Sequence, residues 1–146
     1  MRILVDTNVL ARLAHVNHPH QTLARDALRR LRDADHELRT VPQVLYEYWA
    51  VATRPVAQNG LGFTVEDTHA QLQQWQELFP TLRDERGILG PWQQLVLGQR
   101  VQGKQSHDAR LAAAIARHGL THLLTFNMAD FQRYPGVQIL DPQAVV

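Results

Sequence analysis

The sequence predicts a three-layer α/β domain around a mainly parallel sheet of about four to five strands. Three observations lead there. Ile3-Leu4-Val5 is a short continuous apolar run, the pattern of a strand buried on both faces, and it stops at the polar triplet Asp6-Thr7-Asn8. Beyond it, short apolar runs alternate with segments of helical periodicity. No repeat or low-complexity tract breaks the alternation.

The elements follow in order. A helix is expected through Val9 to Leu13, then a break at Asn17-His18-Pro19-His20. From Thr22 to Leu31, Ala24, Ala27, Leu28 and Leu31 recur at helical spacing, while Arg25, Arg29 and Arg32 make a parallel stripe. That stripe reads as a solvated face, with phosphate tracking as its functional alternative. His36 to Val41 suits a short strand ended by Pro42, and Gln43 to Thr53 the next helix, broken by Pro55 and Gln58 to Gly62. Thr64 with Asp67 three residues on resembles a capping box, opening a stripe of Val65, Thr68, Leu72, Trp75 and Phe79 that ends at Pro80. Thr81 to Arg83 suits a brief edge strand. Pro91 is expected to open a helix that stops near Gly103. Ser106 suits the N-cap of the Ala-rich helix Asp108 to His118, which Gly119 is placed to close. His122 to Phe126 reads as a strand, Met128 to Phe131 as a helical turn, and Val137 to Leu140 as a last strand.

Length and composition bound the function. At 146 residues the chain suits one domain spanning 1–146, with enough surface to bury that a core needs no staples. The absence of cysteine excludes a disulfide scaffold and a thiolate metal site, and accords with a reducing cytoplasm. No apolar run approaches a membrane span, and Met1-Arg2-Ile3-Leu4-Val5-Asp6 turns acidic too soon for a signal peptide, so a cytoplasmic protein is expected. A net charge of +1 argues against a general polyanion binder. Among the 15 basic residues only Lys104 is lysine; a compositional bias and a choice of arginine for phosphate contacts both account for that.

Ligands of open parallel sheets sit outside the carboxyl ends of the strands. Two predicted strands end there in polar residues: Asp6, Thr7 and Asn8 after the first, Thr125 and Asn127 after the later one. Glu47 shares a helix face with Val44, Tyr48 and Val51, which turns its carboxylate toward the apolar side. A buried carboxylate wants a cation nearby, whether a metal or an arginine such as Arg12 or Arg54. Asp108 falls in the first turn of the Ala-rich helix, where the helix dipole alone favours Asp, yet Leu111, Ala112 and Ile115 share its face. Three carboxylates so placed would repel one another unless a divalent cation offset them. Mg²⁺ and Mn²⁺ take oxygen ligands and can activate water for displacement at phosphorus.

Four motifs carry a resemblance. Val5-Asp6-Thr7-Asn8-Val9-Leu10, Tyr46-Glu47-Tyr48, His107-Asp108-Ala109-Arg110-Leu111-Ala112, and Leu124-Thr125-Phe126-Asn127-Met128-Ala129-Asp130-Phe131 together resemble a PIN domain, and most of all the VapC-type toxins of prokaryotic toxin–antitoxin pairs. The likeness runs in order along essentially the whole chain. It implies a metal-dependent endoribonuclease in which Asp6, Glu47 and Asp108 bind Mg²⁺ or Mn²⁺ and position the attacking water. It also implies that Thr7, Asn8 and Thr125 brace those ligands. The implied partners are RNA, a cognate antitoxin and a second copy of the chain.

One departure matters. Many relatives carry a fourth acid where Asn127 stands; Asp130, three residues on, matches another acidic position. Asn127 offers a carbonyl oxygen but no charge, which bears on a second metal. The alternative function is therefore a catalytically weakened PIN-like module that binds RNA or protein. A receiver domain or a dehalogenase-like phosphatase fits less well, since Asp6 is followed by Thr7 and Asn8, and the Gly-rich turn of a dinucleotide-binding fold is missing. His15, His18 and His20 crowd one loop without a zinc-ligand spacing, and His107 adjoins Asp108. If metal offsets Asp6, Glu47 and Asp108, 15 basic residues face 11 acidic ones, leaving +4 outside the pocket. Near-neutral charge is then compatible with an RNA substrate.

Overall fold

The apolar run at the start of the chain becomes the inner strand of a parallel sheet. The computed structural model describes residues 1–145. In it β1 (Arg2–Val5) is buried at Ile3, Leu4 and Val5, and pairs in parallel with β2 (Glu37–Arg39) and β3 (His122–Leu124). β4 (Gln138–Leu140) pairs in parallel with β3, so the described residues form a four-stranded sheet of order β2-β1-β3-β4. Thr81 makes a single parallel bridge to Thr40, which is how the expected edge strand at Thr81 to Arg83 is realised.

Six α-helices surround this sheet among the described residues: α1 (Thr7–Ala14), α2 (Gln21–Asp33), α3 (Pro42–Thr53), α4 (Val65–Leu78), α5 (Leu89–Gly98) and α6 (Gln105–Arg117). The predicted stripe of α2 is its buried face, with Ala24, Ala27, Leu28 and Leu31 inside and Arg25, Arg29 and Arg32 exposed. In α6, Leu111, Ala112, Ala113 and Ile115 are buried, and Gly119 at φ +64 turns the chain out of the helix. Thr64 Oγ1 accepts from Asp67 N at 3.0 Å, the N-cap half of the expected box. α1 packs on α2 and α3, and α5 on α6.

Helix ends differ from expectation at α5, which also opens at Leu89 ahead of Pro91, and at α6. α5 stops at Gly98 rather than near Gly103, because Arg100 takes the left-handed conformation at φ +52 and ends the turn without a glycine. α6 begins at Gln105 with Lys104 at its N-cap, not with Ser106, since Gly103 at φ +59 has already reversed the chain. Ser106 sits in the first turn, where its carbonyl accepts from Trp92 Nε1 at 2.8 Å.

Strand order positions the site. From β1 the chain moves outward to β2, whereas from β3 it moves the other way to β4. Right-handed crossovers then carry the two main connections on opposite faces, and a crevice opens between the carboxyl ends of β1 and β3. Asp6 and Thr125 stand there, and Asp6 N donates to Leu124 O at 3.0 Å. No helix among the described residues is long and apolar enough to cross a membrane.

Candidate active site

Asp6 is the residue at which strand becomes helix. As N-cap of α1 it accepts Thr7 N on Oδ1 at 2.7 Å, the bond that an orphan helix N–H requires. Its Oδ2 accepts Thr125 Oγ1 at 2.8 Å and Asn8 Nδ2 at 3.1 Å. Thr125, fully buried, also accepts from Asn8 Nδ2 at 2.9 Å and Asn127 N at 3.0 Å. Asn8 Oδ1 in turn accepts Phe126 N at 3.0 Å. Two segments more than a hundred residues apart in sequence are thus joined around one carboxylate.

Glu47 reaches the same crevice from α3. Thr7 Oγ1 donates to its Oε2 at 2.9 Å and Gln43 Nε2 to its Oε1 at 2.9 Å. No arginine pairs with it among the described residues, so the ion pair weighed with Arg12 or Arg54 is not formed. Asp108 projects from the first turn of α6. A cavity of about 270 Å³ is lined by Asp6, Glu47, Asp108 and Asn127, with Arg12 at its side. A larger cavity of about 610 Å³, beside Trp92 and Arg110, contains none of the three predicted carboxylates. The smaller one is where the chemistry converges.

The electrostatics record the convergence. Burial pushes the Asp6 carboxyl up to about 6, against the lowering effect of its bonds to Thr125, Thr7 and Asn8, and Glu47 raises it further. Asp108 is pushed to about 7, by burial first and then by the charges of Asp130, Asp6 and Glu47. Asp130, exposed in the turn Met128–Asp130, therefore lies near enough to act on Asp108 although it does not line the cavity. None of Asp6, Glu47 and Asp108 is paired with an arginine among the described residues, although Arg12 lines the same cavity. The donors of the cluster are carboxylate and amide oxygens, the set that suits a hard divalent cation. Among the described residues no three acidic or imidazole side chains are yet close enough to hold an ion. Asp6 and Glu47 instead spend their oxygens on Thr7, Asn8, Thr125 and Gln43. The donor chemistry fits a metal, with Asp6 and Glu47 each held by hydrogen bonds from their neighbours.

Sequence reasoning did not single out Gln43. It is 6% exposed and fully engaged: Nε2 donates to Glu47 and to the His107 carbonyl at 2.8 Å, while Oε1 accepts Arg110 Nη1 at 3.0 Å. Arg110 Nη2 continues to Asp84 at 2.9 Å. The i, i+4 spacing of Gln43 and Glu47 was the available signal. His107 contributes its carbonyl, while its exposed position leaves the ring outside this network.

The chain matches the family described as PIN domain over residues 3–137. No curated protein matches it. Among solved structures it is similar to VapBC2 from Rickettsia felis bound to a DNA fragment from its promoter, with a TM-score of 0.71 at 17% identity over 96% of this chain and 98% of that chain. It is similar to FitAcB from Neisseria gonorrhoeae at a TM-score of 0.69 and 16% identity over 97% and 99%. DNA-bound VapBC from Salmonella typhimurium gives 0.69 at 19% identity over 97% and 98%. At these identities the likeness is one of fold.

Proposed function

The chain belongs to the PIN domain family, and from that membership we propose that it is a metal-dependent endoribonuclease, the toxin of a type II toxin–antitoxin pair. The observation that carries the reading is the gathering of Asp6, Glu47 and Asp108 on one cavity at the carboxyl ends of β1 and β3. These three would hold Mg²⁺ or Mn²⁺, with Asn127 and Asp130 as further oxygen donors beside them. The ion when bound supplies Lewis acidity and an activated water. The overall change is hydrolysis: water adds at phosphorus, the P–O3′ bond breaks, and a 3′-hydroxyl and a 5′-phosphate result.

The chain's own residues set the geometry. Thr125, Asn8 and the Thr7 N–H fix the Asp6 carboxylate from three directions. Thr7 and Gln43 fix Glu47. The similarity to VapBC2 and to DNA-bound VapBC supports a cognate antitoxin as partner, with a homodimer as the expected assembly and the cytoplasm as its place.

The test is cleavage of RNA by the purified chain with Mn²⁺, with Mn²⁺ and chelator, and by Asp6→Asn. Cleavage that chelator and Asp6→Asn both abolish is expected. RNA left intact by the parent in Mn²⁺ would support instead the weakened RNA- or protein-binding module, which Asn127 and the open carboxylate arrangement favour.

A further inference from the structure

The loop between α1 and α2 carries an arrangement that the catalytic reading does not use. His15, His18 and His20 form a row with ring centroids 4.9 and 5.4 Å apart, and His20 lies flat on Phe126 at 4.9 Å and 10° between planes. The row is anchored. His20 N donates to His18 Nδ1 at 3.0 Å, His18 N to His15 O at 3.1 Å, and Asn17 makes the tight turn at φ +64. No three of these side chains are placed to hold a metal. Burial, with Arg12, His15 and His20 nearby, holds the His18 imidazole below its usual range, in keeping with its role as acceptor.

The row runs to the carboxylate cavity at both of its inner contacts. Phe126 stands between Thr125, which holds Asp6, and Asn127, which lines the cavity. Arg12 lines the cavity and acts on His18; its Nε is buried without a hydrogen-bond partner. Outward, His15 is exposed and His18, His20 and Phe126 are half-buried. Rings in series beside a cation are what an unpaired strand needs: bases stack on aromatic faces whatever their sequence, and arginine meets the phosphate between them.

Resting on the endoribonuclease reading, we propose that His15, His18, His20 and Phe126 form the track on which bases of a single-stranded RNA lie as the strand leaves the carboxylate pocket, with Arg12 receiving a phosphate at the junction. The substrate is then unpaired at the nucleotides next to the cut. A protein partner on the same surface is the competing occupant, but imidazole faces leading into an acidic pocket complement bases better than an apolar helix.

The experiment measures binding of a labelled single-stranded RNA by fluorescence anisotropy in the Asp6→Asn background, which prevents cleavage. His15→Ala with His20→Ala is expected to weaken binding by about fivefold to 150-fold. His20→Phe, which keeps the ring and loses the imidazole nitrogens, should bind like its parent. An RNA with abasic sites near the cut should bind weakly to the parent and no worse to the double Ala variant. Unchanged affinity in the double variant, an equal loss on the abasic strand, or a loss confined to binding of a protein partner would each overturn the track. Thermal melting of each variant separates these results from unfolding. If the unsubstituted chain cleaves RNA while the variants bind normally, only the track fails; if it neither cleaves nor binds RNA, the endoribonuclease reading fails with it.

Discussion

Gln43 donates from one amide nitrogen to both Glu47, a turn away on α3, and the carbonyl of His107 on α6. A neutral side chain that does not line the cavity thus ties the Glu47 carboxylate to the first turn of α6, next to Asp108. Gln43→Leu keeps the volume but strands the His107 carbonyl and Arg110. A loss of about 1 to 3 kcal/mol in stability is expected from denaturant midpoints. RNA cleavage should fall by about 10- to 100-fold, the usual effect of freeing a ligand's support. Full activity in a destabilised Gln43→Leu would show that Glu47 needs no such tether.

Thr125 joins three groups through one oxygen, donating to Asp6 and accepting from Asn8 and Asn127. Thr125→Val preserves shape in a fully buried position and removes every one of these bonds. Mn²⁺ affinity measured by calorimetry is expected to drop by about 10- to 100-fold. Equal affinity in the two proteins would mean that the bonds from Thr7 and Asn8 suffice to orient Asp6.

How much of this was legible beforehand depended on how local each signal was. The strand at Ile3 to Val5, the stripe of α2 and the closing role of Gly119 are encoded within a few neighbours and appear as expected. The carboxylates were legible because each sits where a local pattern changes, at a strand end or on an apolar helix face. Gln43 was not, since its partners His107 and Arg110 come from 64 and 67 positions away and a glutamine in the first turn of a helix ordinarily faces solvent. The end of α5 was misplaced for a similar reason: a left-handed Arg100 carries no sequence mark, while Gly103 does.

Proton uptake by the pocket gives stability a pH dependence. Asp6 titrates near 6 in the folded chain against 3.8 ordinarily, so between those values the folded state binds more protons than the unfolded one. Stability of the metal-free protein then falls as pH rises through that window, and Asp108, pushed to about 7, extends the fall toward neutrality. Urea unfolding in chelator at about pH 4.5 and about pH 7.5 should show the decrease, smaller in Asp6→Asn by about 2 kcal/mol. Saturating Mn²⁺ should reverse it at the higher pH. Stability that climbs across this range without metal would contradict a pocket of crowded, buried carboxyls.

Asn127 lines the cavity with an amide where a carboxylate would add charge. Asn127→Asp is expected to tighten Mn²⁺ binding at neutral pH and to move the Asp108 carboxyl further up in the metal-free protein. Calorimetry and a carboxyl-detected NMR titration would check the two effects. Weaker Mn²⁺ binding by Asn127→Asp would show that position 127 faces the substrate instead of the ion.

The bond from Thr125 to Asp6 spans 119 positions of the chain. While the protein is being synthesised, its first carboxylate emerges long before the residue that orients it, and β1 has no inner neighbour until β3 follows. On the proposed function, an RNA-cutting centre built this way lacks the bond that orients Asp6 until nearly all of the chain has been made. The same order means that an amino-terminal fragment lacking Thr125 also lacks the bond that orients Asp6.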